Sequence, residues 1–198
     1  MDISEKPIKH FLDSVDIVLN SNTFIVEFKI VNNNLEQSLY EFLLSDNFIE
    51  QLAQQDIQRD WQNLHYYDNK ADCFKIKSGN LLENNFEPKI TKPSFDKREY
   101  LTAMLTGDTD KGCFFSFYGN EMDRHKAEII IDNLTDYLSA YTGEWDLFTI
   151  QPDFLKCTSK NYGKGEDLKY FEGDYGNDTA TIIKYRNTGF LILTNGID

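Results

Sequence analysis

Positive charge is scarce in this chain. Only 20 Lys and Arg stand against 33 Asp and Glu, a net charge of −13. Phosphate backbones attract Lys- and Arg-rich surfaces, so direct nucleic-acid binding is not expected. Cysteine is scarce as well. Cys73, Cys113 and Cys157 are odd in number and widely spaced, which argues against a disulfide framework and for a reducing cytoplasm. Cys73 and Cys113 fall in strand-like runs, where a free thiol behaves as a small buried apolar group. No run approaches the roughly 20 apolar residues that span a bilayer. Met1-Asp2-Ile3-Ser4-Glu5 is not a basic segment followed by an apolar one, so no secretory signal is expected. Internal repeats, low-complexity tracts and Gly/Ser-rich linkers are all missing.

What is present is apolar and aromatic. Hydrophobic residues make up 40% of the chain and aromatics 14%, with 15 Phe and 11 Tyr, too much for a disordered polymer. A domain of 198 residues buries roughly 70% of its unfolded surface and needs no covalent staple. The expectation is one domain over 1–198, with 78–98 as the place for any sub-domain boundary. That stretch gathers Gly79, Asn80, Asn84, Asn85, Pro88 and Pro93. Acidity is uneven: residues 1–66 hold 11 acids against 4 bases, and 67–132 hold 12 against 10.

Periodicity sketches the elements. Phe11, Leu12, Val15, Val18 and Leu19 recur at helical spacing, after Pro7 and with Ser4 as the candidate N-cap. Thr23–Val31 alternates as a strand, and Asn32-Asn33-Asn34 signals a turn. Leu35, Leu39, Phe42 and Leu43 trace one helical face, and Phe48, Ile49 and Leu52 begin another. Trp61–Tyr67, Asp72–Lys77 and Glu99–Thr106 read as strands, with Gly107-Asp108 as a turn after the last. Cys113–Tyr118 lacks polar alternation, as a strand buried on both faces does. A long helix is predicted over 121–141, capped by Asn120 with Asp123 in its first turn and closed by Gly143. Trp145–Ile150 comes next as a strand, which sets up a strand–helix–strand unit with room for parallel pairing. Thr179–Arg186 and Phe190–Thr194 form a hairpin around Asn187-Thr188-Gly189. The class is α+β: a mixed or antiparallel sheet, the helix 121–141 packed on it, and a C-terminal β-hairpin.

Chemistry-bearing patterns are few. Nucleophilic catalysis needs a nucleophile, a base and an orienting group, yet His10, His65 and His125 come without such company. His125 lies between Arg124 and Lys126, a surface pattern; His65 precedes Tyr66-Tyr67-Asp68, an aromatic run more typical of core or rim. No metal-ligand spacing occurs. Residues 165–178 are dense in oxygen ligands and glycines but match no Ca²⁺-loop register. Tyr162-Gly163-Lys164-Gly165 lacks the strand-before, helix-after context of a phosphate loop. No catalytic residue, metal site or cofactor is assigned, and the chain is not expected to be an enzyme.

Residues 162–178 carry a different signature, aromatics interleaved with acids. Rigid aromatics make binding hot spots, and carboxylates steer a basic partner into register. Glu166, Asp167, Tyr170, Glu172, Asp174, Tyr175 and Asp178 are the candidate partner-binding residues, with Trp61, Tyr66, Tyr67 and Asp68 as a weaker group.

The compact acidic character, the missing catalytic motifs and the run Gly176-Asn177-Asp178-Thr179-Ala180-Thr181 leading into a hairpin that ends Phe190–Asn195 together resemble immunity proteins of bacterial polymorphic toxin systems. Those are the partners of Rhs, contact-dependent and type VI secreted effectors. The resemblance is one of type and transfers no site residue. It implies a cytoplasmic protein that covers the active site of a cognate, basic toxin domain, touching neither membrane nor nucleic acid. Two other functions stay open on the residues alone: a DNA mimic that inhibits a DNA-binding defence enzyme, and a small enzyme without a recognisable motif.

Overall fold

The computed structural model describes residues 1–59, 89–108, 120–139, 144–150, 156–158, 167–169 and 179–196. In chain order the elements are α1 (Lys6–Leu19), β1 (Ser21–Lys29), α2 (Leu35–Leu43), α3 (Asp46–Arg59), α4 (Lys97–Thr106), α5 (Arg124–Ser139), β2 (Trp145–Ile150), β3 (Lys156–Thr158), β4 (Asp167–Lys169), β5 (Thr179–Tyr185) and β6 (Thr188–Gly196). Four strands make an antiparallel sheet in the order β1-β6-β5-β2, and β3 pairs with β4 separately. The α+β class and the C-terminal hairpin are as the sequence predicts. The expected strands Trp61–Tyr67, Asp72–Lys77 and Cys113–Tyr118 lie outside the described residues, as does Gly143.

Helices cover both faces of the four-stranded sheet. On one face Ile25, Leu147, Ile183, Tyr185, Phe190 and Ile192 meet α1, α4 and α5. On the other, Phe24, Val26, Phe28, Ile182, Leu191 and Leu193 meet α2 and α3. This is why β1 and β5 are buried at almost every position instead of alternating with solvent. Tyr185 ties the layers together: its hydroxyl donates to the Thr135 carbonyl of α5 at 3.1 Å, and burial holds the phenol well above its usual pKa.

Several local expectations are corrected. Residues 99–106 form a helix, not a strand. The Asp96 carboxylate accepts from the N–H groups of Arg98 and Glu99, and Gly107 closes the C-terminus in the left-handed region at φ 63°. Every residue from Tyr100 to Leu105 is buried, so no apolar stripe betrays the helical period. Asp123, not Asn120, caps α5, since its side chain accepts from the Lys126 N–H. Asn120 instead donates to the Ile17 carbonyl. At α1 the capping position is Glu5 without a side-chain bond, while Ser4 turns back to Asp2. The hairpin turn is Arg186-Asn187 alone, because Tyr185 pairs with Thr188.

Both edges of the sheet are occupied. At β2, Thr91 exchanges backbone bonds with Thr149 in both directions. At β1, the side-chain amides of Gln51 and Gln55 take the place of a neighbouring strand. Each accepts from a β1 N–H and donates to the carbonyl of the same residue, Gln51 with Glu27 and Gln55 with Ile25. The four-residue spacing puts both glutamines on one face of α3, with Arg59 one turn further along the same face.

Candidate functional site

Of the residues read as partner-binding, Asp167 opens β4 opposite Thr158. Glu166, Tyr170, Glu172, Asp174, Tyr175 and Asp178 lie outside the described residues, as do Trp61, His65, Tyr66, Tyr67 and Asp68. His10 and His125 are exposed on α1 and α5. Among the described residues no group of His, Cys, Asp and Glu is placed to hold a metal ion, and no helix is long and apolar enough to cross a membrane.

The described surface is electrostatically two-sided. On the layer of α1, α4 and α5, acids and bases interleave and pair: Arg124 with Glu99 and Glu128, Arg98 with Asp132, Lys9 with Asp13. The α2–α3 layer differs. From Val31 to Gln58 the chain has no Lys, Arg or His, while it has Glu36, Glu41, Asp46, Glu50 and Asp56. Of these, Glu36, Glu41, Asp46 and Glu50 are exposed. Arg59, the one base on these two helices, is turned inward, with its side chain 11% exposed. Exposed carboxylates that share two helices with no exposed base of their own favour a positive surface, while Lys92 and Lys184 stand beside Glu36 at the start of α2 and Lys29 beside Asn47 and Gln51. The sequence contained this signal as a 29-residue gap without a base, between Lys29 and Arg59, which the coarser count over 1–66 hid.

Where Arg59 points, α1 and α3 border an open-sided cleft of about 690 Å³ lined by Ile3, Lys9, Asp13, Asp16, Ile17 and Arg59. Nη2 of Arg59 donates to Oδ2 of Asp16 at 2.5 Å and lies 3.1 Å from Oδ1 of Asp13. Lys9 pairs with Asp13 as well. Burial nevertheless pushes the Asp16 carboxyl up to about 6, against the opposing pull of the Arg59 charge and of the hydroxyl and N–H of Thr23. Its second oxygen, Oδ1, is buried and has no partner within hydrogen-bonding geometry. Sequence reasoning missed this site because 43 residues separate Asp16 from Arg59. The available clues were Asp13 and Asp16 at helical spacing and the Gln51-Gln55-Arg59 row.

No family model, no curated protein and no solved structure matches the chain.

Proposed function

We propose that this protein acts by binding, as an acidic immunity protein that captures a basic toxin domain in the cytoplasm and covers its active site. The observation that carries this reading is the set of exposed carboxylates on α2 and α3, Glu36, Glu41, Asp46 and Glu50, with no exposed base on either helix, set against a paired, mixed-charge layer on the opposite side of the sheet. Carboxylates gathered on one face steer a positive partner into a single orientation, which scattered acids do not. The net charge of −13 extends the same attraction to longer range, within a screening length of roughly 8 Å at physiological salt. The 166–178 segment, acidic and aromatic, supplies hot-spot residue types for the same encounter.

The test is co-expression with the toxin domain encoded beside this chain. Growth restored by this protein, through a one-to-one complex that dissociates faster and forms more slowly in high salt, is the expected result. Unrelieved toxicity in the presence of the folded protein overturns the proposal.

A further inference from the structure

The two-residue turn between β5 and β6 holds its first residue in an unfavourable backbone conformation. Arg186 sits at φ 41°, in the left-handed region that glycine adopts freely and a residue with a Cβ does not. Tight hairpin turns favour Gly, Asn or Asp at that first position, and this one has Arg. Arg186 and Asn187 are both exposed, so little packing offsets the strain.

The strand beyond the turn is one that the sheet needs. β6 lies between β1 and β5, and every residue from Phe190 to Thr194 is buried. A strand in that place can come from the same chain or from an identical one, provided that its contacts are the same. At the turn they are. Nζ of Lys184 donates to Oδ1 of Asn33 at 3.1 Å, and both residues precede the turn, so that bond stays within one copy. The Ile30 N–H donates to the Asn187 carbonyl at 2.7 Å, one step along the β1–β6 ladder from the pair of Lys29 with Thr188. That bond travels with β6, as do the pair of Tyr185 with Thr188 and the seat of the Phe28 ring over Gly189. Opening the turn therefore relaxes Arg186 and gives up none of these contacts.

We propose that two copies of this chain exchange β6: the Arg186-Asn187 turn straightens, β5 runs on into β6, and the β6 of each copy fills the place between β1 and β5 of the other. The product is a symmetric dimer held by the sheet contacts of the monomer, with two strained turns removed. Association costs translational and rotational freedom, so the monomer prevails in dilute solution and the dimer in concentrated solution. Lys184 and Arg186 of one copy meet those of the other at the junction, so added salt favours the dimer by screening them. The proposal does not rest on the immunity reading.

For the test, the full-length protein is unfolded in urea and refolded at micromolar and at near-millimolar concentration. A thiol reductant is present, so that Cys73, Cys113 and Cys157 link nothing, and light scattering on the size-separated products counts the copies. Dimer is expected from the concentrated sample, reverting slowly because β6 leaves only when the sheet opens. Arg186→Gly removes the penalty from the closed turn and should lower the dimerisation constant about tenfold or more, since two turns open per dimer. Asn187→Pro should raise it, because proline drives the residue before it towards extended backbone and keeps the carbonyl that Ile30 uses. Both positions are exposed, so neither change should cost the fold. In a dimer refolded from a mixture of valine-methyl-labelled and leucine-methyl-labelled copies, nuclear Overhauser contacts should join Val26 of one to Leu191 of the other. A monomer at every concentration even with Asn187→Pro, a dimer that Arg186→Gly leaves unchanged, or β1–β6 contacts confined within each copy would each rule the exchange out.

Discussion

Gln55 holds Ile25 by both of its backbone hydrogen-bonding groups: Nε2 donates to the Ile25 carbonyl at 2.7 Å, and Oε1 accepts from its N–H at 3.0 Å. A side-chain amide has the same donor and acceptor as a backbone amide, so α3 terminates the sheet as another strand would without offering an edge of its own. Gln51 repeats the contact at Glu27, one turn earlier on the helix and two residues later on the strand.

Replacing Gln55 by Leu therefore leaves two buried backbone groups without partners. The expected cost is roughly 2–4 kcal/mol of stability, read from urea unfolding. Amide exchange provides the local check: the Ile25 N–H should lose protection while the β5–β6 pairs keep theirs.

Gly189 is required by Phe28. A Cβ at 189 would stand 2.3 Å from Cζ of the Phe28 ring, which lies over the glycine across the β1–β6 pair. That ring also stacks on Phe42 at 5.2 Å, so it has little freedom to retreat. Gly189→Ala should cost about 1–3 kcal/mol by overpacking. Combining it with Phe28→Leu should cost less than the sum of the two single changes, a coupling that a double-mutant cycle measures.

Asp16 makes stability depend on pH in an unusual direction. Its folded-state pKa, about 6, lies above the ordinary 3.8, so between those values the folded protein binds more protons than the unfolded chain. The contribution of this group is full below about pH 4, falls as pH rises through 6, and is flat above that. The total swing is on the order of 2–3 kcal/mol. Chemical unfolding of the wild type and Asp16→Asn between pH 4 and 8 should show a difference curve that bends in this window. A flat difference would show that Asp16 is ionised in the fold at all these values.

Converting Glu36, Glu41, Asp46 and Glu50 to their amides should leave unfolding free energy within about 0.5 kcal/mol, since all four lie at the surface. Association with the toxin domain should slow, and its salt dependence should flatten. The parallel variant, with Glu166, Asp167, Glu172 and Asp174 neutralised, separates the two sets of acids: whichever set alters the association rate more holds the residues that guide the partner.

Local periodicity made part of this fold legible before any coordinates. The α1 stripe, the strand after it, the Asn-rich turn, the helix now seen at Arg124–Ser139 and the closing hairpin all carry their pattern over short stretches of chain. α4 escaped because uniform burial erases amphipathic contrast. The caps of α1 and α5 were misplaced because Ser4 and Asn120 are equally good cap formers whose side chains found other partners. The cleft around Asp16 was invisible for a different reason. It exists only because α3 is laid along the edge of β1 by its two glutamines, and that geometry is tertiary.

The position of β6 has a consequence for how the molecule is made. It is the last of the described strands, yet it lies between β1 and β5 in the sheet. Lys29 must find Thr188, closing a span of about 160 residues before β1 gains its neighbour among the described strands. On the ribosome, α1, α2 and α3 follow or precede β1 closely enough to cover its faces early, but its ladder towards β6 stays open through most of synthesis, and the four-stranded sheet is completed only after β6 emerges. Shortening the chain by those final residues removes the middle of the sheet and separates the two remaining parts.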